Sequence, residues 1–130
     1  YMLDVWNKNS LDKVFKKAYE NGIVLAGVSA GAACWFDWIL SDSVGPGLKP
    51  LKGISLISGS CTPHSSEKKR IKQFELNIKN GELPPGLAID DGVAVLFIDG
   101  KPSEVYSSRK NHKAYFIDTN KKISPKDYIE

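Results

Sequence analysis

The fold of this chain is decided by one stretch, Ile23-Val24-Leu25-Ala26-Gly27-Val28-Ser29-Ala30-Gly31-Ala32-Ala33. Branched aliphatic residues dominate its first half, as expected of a strand that is buried on both faces. A serine flanked by two glycines comes next, and small residues follow. This order is typical of a nucleophile elbow, in which a strand turns sharply into a helix and holds a serine hydroxyl clear of the sheet.

The elbow predicts where a reactive hydroxyl and its supporting amide groups would lie. A side chain at Gly27 or Gly31 is expected to collide with the turn. The backbone N–H groups that open the next helix, beginning with that of Ala30, would point at an oxyanion formed beside Ser29. The alternative is a glycine-rich turn whose serine only caps the helix.

Composition and charge restrict the classes of protein. The 130 residues, 42% of them hydrophobic, suffice for one domain with a core, so residues 1–130 are expected to form a single domain. The net charge is only +3, and the run Glu67-Lys68-Lys69-Arg70 is interpreted as a solvated helix face, so no nucleic-acid partner is expected. No apolar stretch reaches the roughly 18 residues of a membrane span, and no secretory pattern is seen, so a cytoplasmic protein without a membrane partner is expected.

The two cysteines, Cys34 and Cys61, have no metal-site spacing and are too few for a disulfide scaffold. No metal and no cofactor are therefore expected. Cys34 is interpreted as a small core residue. An enzyme with a thiol nucleophile is disfavoured, because neither cysteine lies at the elbow and nothing nearby suggests a lowered pKa.

Periodicity and helix-capping residues predict two amphipathic helices and a third, shorter one. The first helix begins after a cap at Asn9 or Ser10 and stops at Gly22. The next is a short apolar helix over residues 30–38. The last is capped by Ser65 or Ser66 and stops at Gly81, with Ile71, Phe74 and Ile78 on its buried face.

Short apolar runs predict strands at residues 54–57, 87–89 and 114–117, and a surface loop is expected over residues 41–53. The Asp99-Gly100 pair predicts a hairpin between residues 93–98 and a return strand at 104–107. Together these elements predict an α/β fold with a mostly parallel sheet flanked by helices and a C-terminal β-hairpin.

A serine hydroxyl needs a base to take its proton, and that base needs a group to orient it. His64 follows a predicted strand and precedes a predicted helix, at the edge of an α/β sheet where ligands bind. His112, in a wholly polar run, is the less favoured base.

The acid candidates are Asp90 and Asp91, directly after the strand at residues 87–89. Because neighbours along a strand point in opposite directions, only one of them should face the histidine. Plain turn chemistry is the alternative for Asp90-Asp91-Gly92.

Three motifs together resemble one family: Gly27-Val28-Ser29-Ala30-Gly31-Ala32, then Pro63-His64 after a short strand, then Asp91-Gly92. They are similar to the serine peptidases of the peptidase E group, which are related to cyanophycinase and have the class I glutamine amidotransferase-like fold. The resemblance covers nearly the whole chain. It implies a triad in which Ser29 is the nucleophile and His64 is first general base and then general acid. The third member, usually glutamate in the family, falls on Asp91, with Asp90 in reserve.

This sequence departs from the family pattern in two respects. Family members carry an upstream α/β portion that ends in a Gly-Gly-Asn-Thr-like loop, one of whose N–H groups completes the oxyanion hole. This chain is expected to start after that loop, so a homo-oligomer could complete the site or cover the sheet edge.

The second departure concerns specificity. Peptidase E itself removes an N-terminal aspartate from dipeptides and uses basic residues in the helix after its histidine to do so. Arg70 is the candidate to bind a substrate carboxylate, although Glu67 weakens the match.

Two functions follow from the sequence. The first is a dipeptidase-like serine peptidase that acts on a small peptide. The alternative is a non-catalytic, truncated amidotransferase-like module that associates with itself or with a partner through an open sheet edge.

Overall fold

The computed structural model describes residues 2–119 and the backbone of residues 122–123; the other residues of the predicted 1–130 domain lie outside it. The described helices and strands follow in this order: α1 Met2–Lys8, α2 Leu11–Glu20, α3 Ala30–Ala33, β1 Phe36–Ser41, β2 Lys49–Lys52, β3 Ile57–Thr62, α4 Lys68–Lys79, β4 Gly86–Ile89, β5 Val93–Ile98, β6 Lys101–Ser107, β7 Ala114–Ile117 and β8 Lys122–Ile123.

Six strands form one mixed sheet in the order β2-β1-β3-β4-β7-β8. The three central strands β1, β3 and β4 pair in parallel. Strands β2, β7 and β8 join the outside of this group in antiparallel pairings. The predicted α/β class is confirmed, and parallel pairing is confined to the centre of the sheet.

The core is divided into two clusters of buried side chains. In one cluster Leu3 of α1 packs with Ala33 and Cys34 and with side chains of the central strands, and hairpin residues such as Phe97 pack against it. In the other, Phe74 and Ile78 of α4 pack with side chains from several strands. Burial of these two residues on α4 agrees with the predicted face of that helix, while Ile71 is only partly buried.

The predicted hairpin is confirmed as a separate two-stranded sheet of β5 and β6. Its turn residues Asp99 and Gly100 have φ angles of 51° and 75°. Positive φ at both positions is typical of the tight hairpin turn that the Asp-Gly pair favours. The return strand begins at Lys101, three residues earlier than predicted.

Helices α2 and α4 lie where the periodicity predicts them. Ser10, one of the two predicted caps, occupies the N-cap position of α2, but it has a φ of 56° and makes no capping hydrogen bond. The predicted cap of α4 is wrong. The residue before α4 is Glu67, not Ser65 or Ser66. The two serine hydroxyls donate hydrogen bonds to other partners, described below.

The predicted strand over residues 23–28 is not formed. This segment has no strand partner within residues 2–119, and Ile23, Val24 and Val28 are 57%, 86% and 84% exposed. A strand exists only when a neighbour pairs with its backbone, so an aliphatic run without a paired neighbour stays irregular.

The helix predicted over residues 30–38 is also wrong beyond its first turn. Helix α3 ends at Ala33, and β1 occupies residues 36–41 because its backbone pairs with strands on both sides. The predicted loop over residues 41–53 contains β2. The strand predicted at residues 54–57 begins only at Ile57 and continues to Thr62.

Within residues 2–119 no helix combines the length and the apolar character that a membrane crossing requires.

Candidate active site

The turn that the sequence predicts as an elbow lies at the start of α3. Ser29 has φ 54° and ψ −121°, a conformation that residues other than glycine rarely adopt. A β-carbon on Gly27 would lie 1.9 Å from the carbonyl oxygen of Gly31, so the backbone passes too closely for any side chain there. The predicted collision at Gly31 is wrong, since a β-carbon there would meet no atom within 4 Å.

The hydroxyl of Ser29 does not cap the helix, because it makes no capping hydrogen bond to α3. Its oxygen lies 2.7 Å from Nε2 of His64, 35 positions further along the chain. On the other side of the imidazole ring, Nδ1 of His64 lies 2.5 Å from Oδ1 of Asp91. With its proton on Nδ1, His64 donates to Asp91 and accepts from Ser29.

The sheet explains how two of these side chains meet. His64 follows β3 and Asp91 follows β4, and these strands are parallel neighbours with Thr62 paired to Ala88. The carboxyl ends of parallel strands lie at the same edge, which is where α/β proteins bind ligands. Helix α3 then brings Ser29 to the same edge.

Hydrogen bonds hold the carboxylate of Asp91 in its charged form. The largest cause is the bond from His64, and the second is the bond from the Ser66 hydroxyl, which donates to Oδ2 over 2.9 Å. Together they lower the pKa of Asp91 below its ordinary value of 3.8. In this charged form Asp91 can accept the hydrogen bond that the His64 Nδ1–H donates.

Asp90 points away from this contact, as strand alternation predicts for one of the two neighbours. Its Oδ1 accepts a hydrogen bond from the Ser65 hydroxyl over 2.7 Å, and its Oδ2 accepts one from the Lys113 N–H over 3.0 Å. His112 also lies outside the contact with Ser29. Its Nδ1 lies 2.7 Å from the backbone carbonyl oxygen of Asp91 and donates to it.

The amide of Ala30 is the first of α3, and within residues 2–119 no carbonyl oxygen accepts a hydrogen bond from it. The next amide, that of Gly31, donates to the Val28 carbonyl over 2.9 Å. Within residues 2–119 the Ala30 N–H is thus one of the backbone donors beside Ser29 that no carbonyl oxygen engages.

The guanidinium of Arg70 interacts with groups other than Ser29, His64 and Asp91. Its Nη1 donates to the Leu40 carbonyl over 3.5 Å and its Nη2 to the Asp42 carboxylate over 3.4 Å, while Nε lies 3.6 Å from Glu67. Arg70 is 9% exposed, so the interpretation of residues 67–70 as a solvated face holds for Glu67 and the two lysines but not for the arginine.

Sequence comparison assigns the chain to a family. The model of peptidase family S51 matches residues 1–105. The chain belongs to peptidase family S51. A similar protein is the uncharacterized peptidase YgaJ of Bacillus subtilis (strain 168), which is 42% identical to this chain over 117 residues. The alignment covers 89% of this chain and 50% of that protein, so the S51 chain spans about half the length of the curated relative it matches. The resemblance to the peptidase E group is confirmed.

The cysteines of this S51 chain are not poised for chemistry. Cys34 and Cys61 are fully buried. Desolvation raises the pKa of Cys34 to about 11, and burial followed by the proximity of Cys34 raises that of Cys61 further. A thiol becomes a nucleophile as its thiolate, which both sites disfavour.

No group of three or more histidine, cysteine, aspartate or glutamate side chains within residues 2–119 could hold a metal ion.

Sequence reasoning missed the contacts of Ser65, Ser66 and His112. The helix pattern predicts the two serines only as caps. The signal for another role is that two hydroxyls directly follow a candidate base, and two carboxylates follow the next strand. No pattern in the sequence indicated that His112 would contact the Asp91 backbone, because that contact depends on how β7 pairs with β4.

Proposed function

We propose that this chain carries the catalytic centre of a serine peptidase, dipeptidase-like in its substrate, with Ser29, His64 and Asp91 as its triad. One observation supports the proposal above all others. The hydrogen-bonded series runs without interruption from Ser29 Oγ through both ring nitrogens of His64 to Asp91, over 2.7 Å and 2.5 Å. This is the arrangement by which a base activates a hydroxyl and an acid orients the base.

In the proposed reaction Ser29 Oγ attacks the carbonyl carbon of the scissile peptide bond, and its proton passes to Nε2 of His64. The carboxylate of Asp91 stabilises the imidazolium that results. The proton then passes to the leaving amine, which departs and leaves an acyl group on Ser29. Water, deprotonated by His64, attacks the ester carbonyl, and His64 returns that proton to Ser29 Oγ as the bond to the acyl group breaks, which releases the carboxylic acid product.

The N–H of Ala30 is the proposed oxyanion donor on this chain. A donor must lie where the negative oxygen develops, and the amide directly after the nucleophile meets this requirement in elbow enzymes. Loss of one donor typically costs about 10²- to 10³-fold in rate. The activity of the chain therefore also depends on whether a second donor is present.

A fluorophosphonate probe tests the triad directly, because it forms a covalent bond to an activated serine. Wild-type protein should be labelled once, at Ser29, as read by intact mass and peptide mapping. Ser29→Ala and His64→Ala should lose labelling. His112→Ala is the matched control, since it removes the other histidine while leaving the Ser29 to His64 contact in place. Undiminished labelling of Ser29→Ala, or loss of labelling in His112→Ala alone, would overturn the assignment.

We propose further that Arg70 selects substrates with an N-terminal aspartate. It is the buried cation of α4, and its Nε has no hydrogen-bond acceptor although it is shielded from solvent. Asp42 and Glu67 compete for the same guanidinium, so a substrate carboxylate would have to displace them.

A panel of dipeptides that differ only in the first residue tests this preference. Arg70→Met should lower kcat/KM for the aspartyl dipeptide selectively, whereas Lys69→Met, a change in an exposed neighbour, should not. An equal loss for all dipeptides would assign Arg70 to folding alone.

The second candidate function is a non-catalytic module that associates with itself. It is favoured by the exposure of the aliphatic segment 23–28, which presents unpaired backbone. Size-exclusion chromatography combined with probe labelling of the same fractions separates the two proposals. A labelled oligomer supports a site completed across chains, and an unlabelled protein supports the module.

The cytoplasm is the proposed compartment, and the two free thiols are compatible with its reducing conditions. Cell fractionation with a tagged full-length protein tests it.

A further inference from the structure

We infer that Ser65 and Asp90 act as a pair of positioning residues that fix the orientation of His64. The inference rests on the proposed function, in which His64 is the base. Among the hydrogen bonds of residues 2–119, none joins the side chain of Ser65 or Asp90 to the imidazole or to Ser29, so both residues act through the backbone of the loop that carries the histidine.

His64 needs such support because its backbone is in an unfavourable conformation. Its φ angle is 56°, in the left-handed region that residues other than glycine seldom occupy. A non-glycine residue remains in this region only where surrounding contacts hold it there. The direction of the imidazole depends on this backbone, so whatever holds it also sets the contact with Ser29.

Ser65 supplies the contacts directly after the histidine. Its N–H donates to the Ile89 carbonyl over 3.0 Å, and its hydroxyl donates to Oδ1 of Asp90 over 2.7 Å. Ser65 is 5% exposed, so solvent does not compete well for these bonds. The residue beside His64 is thus tied by both its backbone and its side chain to the end of β4.

Asp90 is itself fixed to the sheet. Its N–H donates to the Lys113 carbonyl over 3.0 Å, and its Oδ2 accepts from the Lys113 N–H over 3.0 Å. A carboxylate acceptor makes the bond from Ser65 stronger than a neutral acceptor would. Asp90 therefore links the position of Ser65, and with it that of His64, to the point where the paired strands β4 and β7 meet.

The bond from Ser66 to Asp91 runs beside the bond from Ser65 to Asp90, but its role differs. Ser66 donates to the carboxylate that contacts the imidazole; Ser66 is exposed and Asp91 partly exposed. The Ser65 to Asp90 pair has no member in the triad. It can therefore be altered without removing any group that the proposed reaction uses.

The test compares Ser65→Ala, Ser65→Thr, Asp90→Asn and the double variant Ser65→Ala/Asp90→Asn. Asparagine removes the charge, and its NH₂ group either faces the Lys113 N–H, which then loses its acceptor, or donates to the Ser65 hydroxyl. In both orientations the bond from the Ser65 hydroxyl to a carboxylate is lost. Ser60→Ala is the matched control, because Ser60 is a buried serine whose hydroxyl donates to the Pro84 carbonyl, outside the candidate site.

Fluorophosphonate labelling gives the first readout, resolved into the binding constant KI and the rate constant kinact. Ser65→Ala should lower kinact about 10- to 100-fold, the effect expected of a small misplacement of a catalytic group, with KI within about twofold of wild type. Ser65→Thr, which keeps a hydroxyl, should recover most of the rate. The double variant should be no slower than the slower single variant, because the two residues act as one unit. Ser60→Ala should keep the wild-type kinact even where its thermal midpoint falls.

The NMR signals of the His64 ring give a second readout that requires no activity. The chain has two histidines, so the signals are assigned by their loss in His64→Ala. Ser65→Ala should shift or broaden the His64 ring signals, and Ser60→Ala should leave them in place. A chain that is not labelled at all contradicts the proposed function, and the NMR comparison still decides the positioning role. Unchanged His64 signals in Ser65→Ala, or a kinact equal to that of Ser60→Ala, would overturn the inference.

Discussion

A β-carbon added to Gly27 would overlap the carbonyl oxygen of Gly31, which lies 1.9 Å from the position that the carbon would take. The obstacle is backbone, so no side-chain rotation relieves it. Gly27→Ala should therefore displace the turn, destabilise the fold by roughly 1–3 kcal/mol and abolish labelling of Ser29. Urea unfolding and probe labelling of the same preparation measure both effects.

Gly31→Ala is the matched control for that substitution. A β-carbon at this position meets no atom within 4 Å, and alanine is favoured over glycine inside a helix by about 0.5–1 kcal/mol. The free energy of unfolding should stay constant or rise. Equal destabilisation by both alanines would show that the close approach at Gly27 is not what constrains the turn.

Asp91 should be required as a charged acceptor. In Asp91→Asn the amide retains an oxygen but favours the wrong imidazole tautomer, for which a loss of about 10⁴-fold in the hydrolysis rate is the expected order. Asp91→Glu keeps the charge on a chain longer by one methylene, so it should retain more activity than the asparagine variant. Dipeptide hydrolysis rates rank the three proteins. A glutamate variant as inactive as the asparagine variant would mean that reach, not charge, is limiting.

The lowered pKa of Asp91 predicts a particular dependence of stability on pH. The unfolded chain binds the proton of this carboxyl more tightly than the folded chain does, so the free energy of unfolding rises with pH between the folded-state pKa and the ordinary value of 3.8. The contribution is complete above that value and disappears as pH falls through the folded-state pKa. The stability difference between wild type and Asp91→Asn should be larger at about pH 6 than at about pH 2.

Urea unfolding at the two pH values measures this difference. Ser66→Ala, which removes the second cause of the lowered pKa, should reduce the pH dependence by less than Asp91→Asn does. A stability difference that is the same at both pH values would contradict a lowered pKa.

The cysteines should be unreactive in the folded protein. With a pKa of about 11, the Cys34 thiol is ionised to only about one part in 10⁴ at neutral pH, and burial blocks access to it. Ellman's reagent should react with both thiols in urea and much more slowly under native conditions. Cys34→Ser should leave probe labelling of Ser29 measurable. Rapid native modification of Cys34 would reopen a thiol mechanism.

Local signals in the sequence predicted those parts of the fold that depend on neighbouring residues. The spacing of apolar residues located α2 and α4, and Asp99-Gly100 located the hairpin, because helix faces and tight turns are determined within a few positions. The order of strands and turns predicted that His64 and one of Asp90 and Asp91 lie at the same edge of the sheet, and the choice of Asp91 came from the family resemblance. The catalytic roles of Ser29, His64 and Asp91 stay predictions.

The failures involve segments whose state depends on distant partners. The apolar run that begins at Phe36 has neither a clear helical nor a clear alternating period, and its pairing with both β2 and β3 makes it a strand. Residues 23–28 have the composition of a buried strand, but composition cannot supply the neighbour that a strand needs. The acceptor for Ser65 could not be predicted either, because it depends on the register between β4 and β7.

Ser29, the proposed nucleophile, directly follows the irregular segment 23–28, while His64 and Asp91, the proposed base and acid, follow paired strands. The amide hydrogens of residues 24–27, which donate to no carbonyl within residues 2–119, should exchange with deuterated solvent almost as fast as those of an unfolded peptide, and those of β3 and β4 far more slowly. The exchange rate at Val24 and Leu25 would then report when another polypeptide strand binds alongside them. The binding of a strand beside residues 23–28 could thus be followed without any substrate.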